Sequence, residues 1–313
     1  MAGVDDHRGA NPIIAVIGVG RWGANIVRDL VVLGADVIAV DPDPAARTRA
    51  IELGAVDSRA ALSGAPDVDG VVIATPASSH ERDVLEAGRL GVPIACEKPL
   101  TASSVSARAV VEAVGGRLTV LHVWRYHPGV ELLGRLARSG SLGSVNALRT
   151  VRANWTSPRC DVDPMWTFLP HDLSIAVEIF GCVPEPVHAT VERIDGRVVS
   201  IWAAFGPPDV LVEATTRSGE RRRDIRVHGS DAVAVLSDGA EHVEVLTGAA
   251  LTPDVERIAF DPTPALQREM GAFVEHIRGG PAPKTNAAEG LAVVDGVERA
   301  LALGQPTSGG NGR

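Results

Sequence analysis

The chain has 313 residues, of which 45% are apolar and 22% charged, and it carries a formal net charge of −9. This composition suits a soluble protein of two domains with enough apolar surface for a sizeable core. The acidic balance makes the chain a poor candidate for sequence-independent binding of nucleic acid, which needs clustered Lys and Arg. The densest basic run, Arg217 to Arg226, is broken by Glu220 and Asp224 and reads as a turn and a solvated strand face. Cys96, Cys160 and Cys182 are widely spaced and form neither a disulfide framework nor a zinc pattern, so no metal is expected. The first residues lack the apolar core of a signal peptide, and no apolar run reaches membrane-spanning length. A cytoplasmic, reducing location is expected.

Residues 1–11 and 304–313 are rich in Gly, Asp, Ser and Asn, and both are expected to be disordered tails. Between them, short β-branched runs alternate with helical patterns. Ile13–Ile17 reads as a buried strand, Trp22–Leu33 as a helix, Asp36–Val40 as a strand and Pro44–Leu53 as a helix with Pro in its first turn. Strands follow at Val71–Ala74, Pro93–Cys96 and Leu118–His122, with helices at about Ser79–Leu90 and Ser103–Val114. This rhythm implies a parallel sheet covered on both faces, a Rossmann-type α/β domain over residues 12–124.

The pattern then changes. A helix is expected at Pro128–Ser139, a long strand at Val145–Trp155 and a helix around His171–Phe180. Alternating strands come next, at Pro186–Ile194, Arg197–Phe205, Val210–Thr216, Asp224–Val227, Ala232–Leu236 and His242–Leu246, with turn signals at Asp195-Gly196 and Ser218-Gly219. Helices near Pro264–Ile277 and Asn286–Leu303 close the chain. Residues 125–303 therefore read as an α+β domain with a large, mostly antiparallel open sheet. One face of such a sheet is left for a substrate or a second subunit.

Gly18-Val19-Gly20-Arg21-Trp22-Gly23 is a G-x-G-x-x-G run that follows an apolar strand and opens a helix. Gly18 permits a tight turn, Gly20 lets the backbone approach a pyrophosphate, and Gly23 lets helix and strand pack closely. The helix N-terminus offers N–H groups to the phosphates. Asp41 ends the second strand, where a carboxylate accepts from ribose hydroxyls and repels a 2′-phosphate. NAD is thus favoured over NADP, although Arg47 is close in sequence. The alternative is a Rossmann-like domain with another nucleotide or none.

At Glu97-Lys98-Pro99 a second motif joins the first. Together with Thr75-Pro76 and His80, with the segment His122 to Pro128, with Pro170-His171-Asp172 and with the Glu269–Phe273 helix, it resembles the glucose–fructose oxidoreductase / inositol dehydrogenase / MocA family over roughly Ile13 to Leu303. The Arg21-Trp22-Gly23-Ala24-Asn25 form of the fingerprint is similar to members acting on nucleotide-linked sugars. The resemblance implies hydride transfer between a carbinol carbon and nicotinamide, in an assembly of two or four subunits. It makes Arg21, Trp22, Thr75, Pro76, His80, Glu97, Lys98 and Arg125 cofactor contacts alongside the glycines and Asp41. Lys98, at a strand's C-terminal end, is the first candidate to exchange the hydroxyl proton, since burial and a cationic nicotinamide both ease deprotonation of a lysine. Glu97 is expected to hold the nicotinamide ribose, and the isomer of the Lys98–Pro99 peptide is left open.

His171 is the second acid/base candidate, at a helix start that the family turns toward nicotinamide. Many members have an aspartate four residues earlier, where this chain has Thr167. Thr167 can share a hydrogen bond but cannot stabilise an imidazolium by charge. Tyr126, Asn154, Trp155, Arg159, Trp166 and Asp172 are candidate contacts to a hydroxyl-rich or phosphorylated substrate, while His188, His228 and His242 lack ligand spacing and read as structural. A sugar or cyclitol dehydrogenase, or a ketoreductase running in reverse, is the leading reading. A non-catalytic dinucleotide sensor is the alternative, kept open by Thr167. A hydrolase using tightly held NAD for transient oxidation is the third.

Overall fold

A computed structural model describes residues 11–63, 67–155, 162–248 and 251–306, the last two by their backbone. The chain divides into two compact units. The first comprises residues 1–100, 108–121 and 266–288, and the second residues 101–107, 122–265 and 289–313.

The first unit is a six-stranded parallel sheet built from β1 (Ile13–Ile17), β2 (Asp36–Val40), β3 (Asp57–Arg59), β4 (Gly70–Ile73), β5 (Ile94–Glu97) and β6 (Leu118–Leu121), in the order β3-β2-β1-β4-β5-β6. The helices α1 (Arg21–Val32), α2 (Pro44–Glu52), α3 (His80–Ala87) and α4 (Ser104–Val114) alternate with the strands. Each central strand is a near-continuous apolar run because both of its faces are buried; every residue of β4 and β5 is buried. Strand order reverses between β1 and β4, and ligands of open α/β sheets bind beyond the C-terminal strand ends at such a point.

The second unit is centred on β7 (Val145–Trp155), preceded by α5 (Pro128–Arg138) and followed by α6 (Pro164–Phe180). Its other strands are β8 (Pro186–Ile194), β9 (Arg197–Phe205), β10 (Asp209–Thr215), β11 (Arg217–Gly229), β12 (Ala232–Leu236), β13 (His242–Thr247) and β14 (Asp254–Ala259). After α7 (Ala265–Ile277) and α8 (Ala287–Leu303), the two-residue β15 (Gln305–Pro306) completes the order β14-β13-β12-β11-β7-β10-β9-β8-β15. Pairing is antiparallel except at β7/β10 and β8/β15. Helix α6 packs on β7, β9 and β10, and α5 on β11, β12 and β13.

The sequence reading needs five corrections here. Helix α6 begins at Pro164, not at His171, and carries Pro170 inside it. A proline there removes one i→i−4 hydrogen bond, but the helix is buried along most of its length and packing sustains it. Ser218-Gly219 makes no turn, because β11 runs through it with a register shift between Arg217 and Arg222. The short polar edge strands β3 and β14 give no strand signal in sequence. Helix α7, read as part of the second domain, belongs to the first unit, where Ile277 and Phe273 lie over Gly70 at the start of β4. A Cβ at Gly70 would stand 2.5 Å from Ile277 Cδ1, so the helix lies where only a bare backbone fits. Finally, Gln305–Pro306, read as tail, pair with Thr190 and Val191 of β8. The Asp195-Gly196 turn does form, with both residues at positive φ (49° and 78°) as a tight hairpin between twisted strands requires.

Candidate active site

The glycine turn lies where β1 hands over to α1. Gly18 has φ of +88°, and a Cβ there would lie 2.7 Å from the Thr75 backbone nitrogen. A Cβ at Gly23 would lie 2.0 Å from the Gly18 carbonyl oxygen. Both positions are therefore closed to any side chain by backbone. Gly20 is the opposite case: nothing lies within 4 Å of its Cβ direction. Helix α1 begins immediately after it, with no side-chain cap and no acidic residue in its first turn. Its leading N–H groups and positive dipole end thus face open space at Gly20, which is what a pyrophosphate needs.

Two side chains from the β2–α2 segment hold the turn by its Val19 peptide groups. Asp41 Oδ2 accepts from the Val19 N–H at 2.7 Å, and Arg49 donates to the Val19 carbonyl at 3.0 Å. Asp41 Oδ1 accepts from the Asp43 N–H at 2.9 Å. Arg47 donates to the carbonyls of Asp41 and Pro42. The acid at the end of β2 is therefore oriented before any ribose arrives. Arg49 had no sequence signal, since a helix arginine normally reads as solvated.

From β4 and β5 come the other members of the first unit's cluster. The Trp22 indole N–H donates to Glu97 Oε1, and Glu97 Oε2 accepts from the Lys98 N–H at 3.1 Å. Glu97 is 3% exposed and Lys98 8%, both at the C-terminal end of β5, and the Lys98–Pro99 peptide is cis. Thr75 donates its hydroxyl to Asp83 Oδ2 at 2.7 Å. Pro76 is exposed, as is Arg21 at the first position of α1. His80 is fully buried, and both of its ring nitrogens face main-chain carbonyl oxygens. Both ring nitrogens are thus taken up by the loops after β4 and β5.

Glu269 on α7 is a further buried carboxyl, 1% exposed, with neither oxygen in a hydrogen bond. Burial, with the Glu97 charge adding to it, pushes its pKa well above the usual carboxylate range, so the folded state favours its neutral form. The neighbouring Cys96 thiol is also pushed up, by burial first and then by the charges of Glu97 and Asp83. It is an inert thiol.

In the second unit the central object is a stack. The Trp124 ring lies on His127 with centroids 5.1 Å apart, and its edge meets His171 at 6.4 Å. The Arg152 guanidinium sits 4.7 Å over the same indole. Arg152 in turn grips Asp172 with two hydrogen bonds, of 3.1 and 3.3 Å. Asp172, expected from sequence as a substrate contact, is 1% exposed and engaged in this pair. Arg125, expected as a cofactor contact, pairs its guanidinium with Glu178 at 3.4 Å and Glu289 at 3.0 Å.

His171 lies in the second turn of α6, and Thr167 precedes it by one turn on the same helix face. His127 caps α5, its Nδ1 accepting from the Gly129 N–H at 3.2 Å; burial lowers its pKa against the pull of Glu131, so it stays neutral. Tyr126 and Trp166 are buried, Asn154 is half-buried, and Trp155 is 63% exposed with Arg217 5.7 Å over its ring. Arg159 lies outside the described residues. Arg152, Trp124 and Arg223 were missed by the sequence reading. Arg223, opposite Arg152 across β7/β11, has its pKa lowered to about 10, first by burial and then by the charges of Arg152 and Arg221.

No group of three or more His, Cys, Asp or Glu able to hold a metal occurs among the described residues. No described helix is long and apolar enough to cross a membrane.

The family model of oxidoreductases with an NAD-binding Rossmann fold, GFO_IDH_MocA, matches residues 13–124. An inositol 2-dehydrogenase of Streptomyces avermitilis is 30% identical over 305 residues, which cover 89% of this chain and 88% of that protein. A solved levoglucosan dehydrogenase, in complex with NADH and levoglucosan, shares the fold with a TM-score of 0.82 at 18% identity, over 94% of this chain and 98% of the other. So does a UDP-N-acetylglucosamine 3-dehydrogenase from Acidithiobacillus ferrooxidans, with a TM-score of 0.79 at 22% identity over 94% and 98%. By class, then, this is an NAD-binding oxidoreductase. The chain belongs to the glucose–fructose oxidoreductase / inositol dehydrogenase / MocA family.

Two outcomes follow from this geometry. Gly20→Ala keeps the melting temperature within a few degrees but weakens NAD binding at least tenfold by calorimetry, because its methyl projects only into the open space. Gly23→Ala lowers the melting temperature itself, since its methyl meets backbone. For Glu269, the folded state keeps a proton that the unfolded chain releases above about pH 4.3, so stability falls as pH rises, by at most about 1.4 kcal/mol per unit. Glu269→Gln removes this slope. Relative to wild type, the variant gains stability at pH 8 and changes little at pH 4.5 in urea titrations.

Proposed function

We propose that the protein is an NAD-dependent dehydrogenase of a polyhydroxylated ring, a cyclitol or a sugar, and that Lys98 exchanges the proton of the reacting hydroxyl. The observation that carries this reading is the placement of Lys98. Its β5 end stands in the same strand-end row as the Gly18–Gly23 turn, the order being β1-β4-β5. Glu97 holds the Lys98 backbone and the Trp22 indole at once, so glycine turn and lysine form one framework. Bound NAD supplies the hydride acceptor. The chain's residues do the rest: the α1 N-terminus and Gly20 receive phosphate, and Asp41 receives ribose hydroxyls and disfavours a 2′-phosphate. Burial of Lys98 removes competing water from the proton's path.

His171 is the second group offered for the proton, with Asn154, Trp155, Trp166 and Tyr126 as substrate contacts on the second unit. Thr167 stands one turn before His171, where many members of the family have a carboxylate, and a threonine brings no charge of its own to the imidazole. The named relatives are dehydrogenases, among them one of inositol and one of levoglucosan, which supports a polyol ring as the substrate class. Nothing in them favours the non-catalytic sensor.

The second sheet supports a subunit interface. On the face of β9 and β10 turned away from the buried residues, Trp202 is 41% and Leu211 50% exposed, beside Ala204 and flanked by Arg149, His188 and Glu213. A broad apolar centre with a polar rim is the anatomy of an interface, and a second copy of this chain is the occupant we infer.

The test of the chemistry is NADH absorbance with NAD and a panel of cyclitols and free, phosphorylated and nucleotide-linked sugars. Lys98→Ala should lose about 10²–10⁴-fold in kcat while NAD still binds; equal turnover by the variant would refute the assignment. For the assembly, light scattering at micromolar concentration should give two or four times the mass of one chain. A monomeric mass would remove the interface.

A further inference from the structure

His80 opens α3 at the C-terminal side of β4, and its ring is entirely buried. Nδ1 lies 2.8 Å from the Pro99 carbonyl oxygen, and Nε2 lies 2.9 Å from the Thr75 carbonyl oxygen. A main-chain carbonyl oxygen only accepts hydrogen bonds. A neutral imidazole has one N–H and one bare nitrogen, so either tautomer would press a lone pair against a carbonyl lone pair at hydrogen-bond distance. A ring turned by 180° would put carbon atoms at both carbonyls and lose both bonds. Only the doubly protonated ring donates at both ends.

We propose that His80 is held as an imidazolium, a two-ended donor that ties the Lys98–Pro99 turn to the Thr75–Pro76 loop and thereby positions Lys98.

A buried cation is costly unless it is hydrogen-bonded, and here both ring nitrogens have an acceptor. On its own helix stand Glu81, Arg82, Asp83 and Glu86, and Asp83 both accepts from the Thr75 hydroxyl and pairs with Arg82 at 2.7 Å. From β5, which packs against α3, come Cys96, Glu97 and Lys98. The Cys96 thiol feels both the Glu97 and the Asp83 charges, which places two carboxylates around this strand end. Strand β4 and the loop after it bring no charge to the ring. The clamp thus joins the ends of β4 and β5, the two strands that follow β1 in the sheet. His80 is a positioning residue: it touches the peptide groups on either side of the site and no reacting atom.

The sign of the pH effect follows. An imidazolium held in the folded state has its pKa raised above the unfolded value, so the clamp is fully present below about pH 6.5. It is lost only as pH climbs through the folded-state pKa. Above that point one of the two bonds must break, and the turn carrying Lys98 is released from the loop.

The experiment is ring ¹⁵N NMR of the intact wild-type protein, with the His80 ring assigned by correlation to its own backbone so that no variant need fold. The expected result is a proton on both ring nitrogens at pH 7.5, well above the ordinary histidine range. A bare ring nitrogen at pH 7 overturns the clamp. The positioning role is read in the same titration from the backbone amides of Thr75 and Leu100, which should move along one curve with the ring. If the ring titrates while both amides stay still, the positioning claim falls. That claim rests on the assignment of Lys98 as the proton-transfer group. Should Lys98→Ala retain full turnover while His80 carries both protons, the assignment fails and the clamp stands.

Discussion

The structure depends on one close approach of backbone to backbone. The Gly18 carbonyl stands where a Cβ of Gly23 would be, and the Thr75 peptide stands where a Cβ of Gly18 would be. These contacts bring the end of β1, the start of α1 and the loop after β4 within touching distance. Once they meet there, the helix N-terminus can only face the space at Gly20. Asp41 and Arg49 then hold the turn from one side by the two polar groups of Val19, and Trp22 reaches Glu97 on the other. Loss of either contact would leave a dinucleotide cradle with the right sequence and the wrong shape.

Around that turn the first unit is organised by buried polar groups, each answered by a specific partner. Glu97 takes an indole and a peptide N–H, Asp83 a hydroxyl and a guanidinium, and His80 two carbonyls. A buried polar network with all partners present is rigid, and this one fixes the β5 end that carries Lys98. Glu269 stands apart from this pattern, buried without a hydrogen bond and with its neutral form favoured. It costs stability at neutral pH, of the kind that proteins tolerate near a functional centre.

The second unit solves a different problem. Its long strand β7 carries Arg152 inward to meet Asp172 from α6, and Trp124 covers the pair from above the helix that carries His171. The arginine–aspartate pair is fully withdrawn from solvent, so its use is to fix helix against sheet. Asp172, which read in sequence as a polar substrate residue, is the mate of Arg152, and Trp124, which read only as part of the segment His122 to Pro128, is the centre of the stack.

How much of this was legible in the sequence depends on the range of the interaction. Strand and helix order, the hairpin at Asp195-Gly196, the glycine turn and the acid that ends β2 all rest on local periodicity or on short spacings, so their chemistry is printed along the chain. The order of the motifs was enough to imply the family, and with it NAD. Partnerships between distant residues were not legible. Asp172 could not be read as the mate of Arg152, nor Arg125 as that of Glu178 and Glu289, because only folding brings together groups 20 to 164 residues apart. Helix α6 looked shorter than it is because Pro170 argues locally for a boundary, and tertiary burial overrides that preference. Helix α7 was placed by chain order with the wrong unit, since only the bare backbone at Gly70 shows where it lies. The sequence by itself therefore determined which elements form and which ligand chemistry they serve. The tertiary structure decided which polar side chains remain for that chemistry and which are consumed in holding it together, because a buried charge or imidazole is defined by its partners.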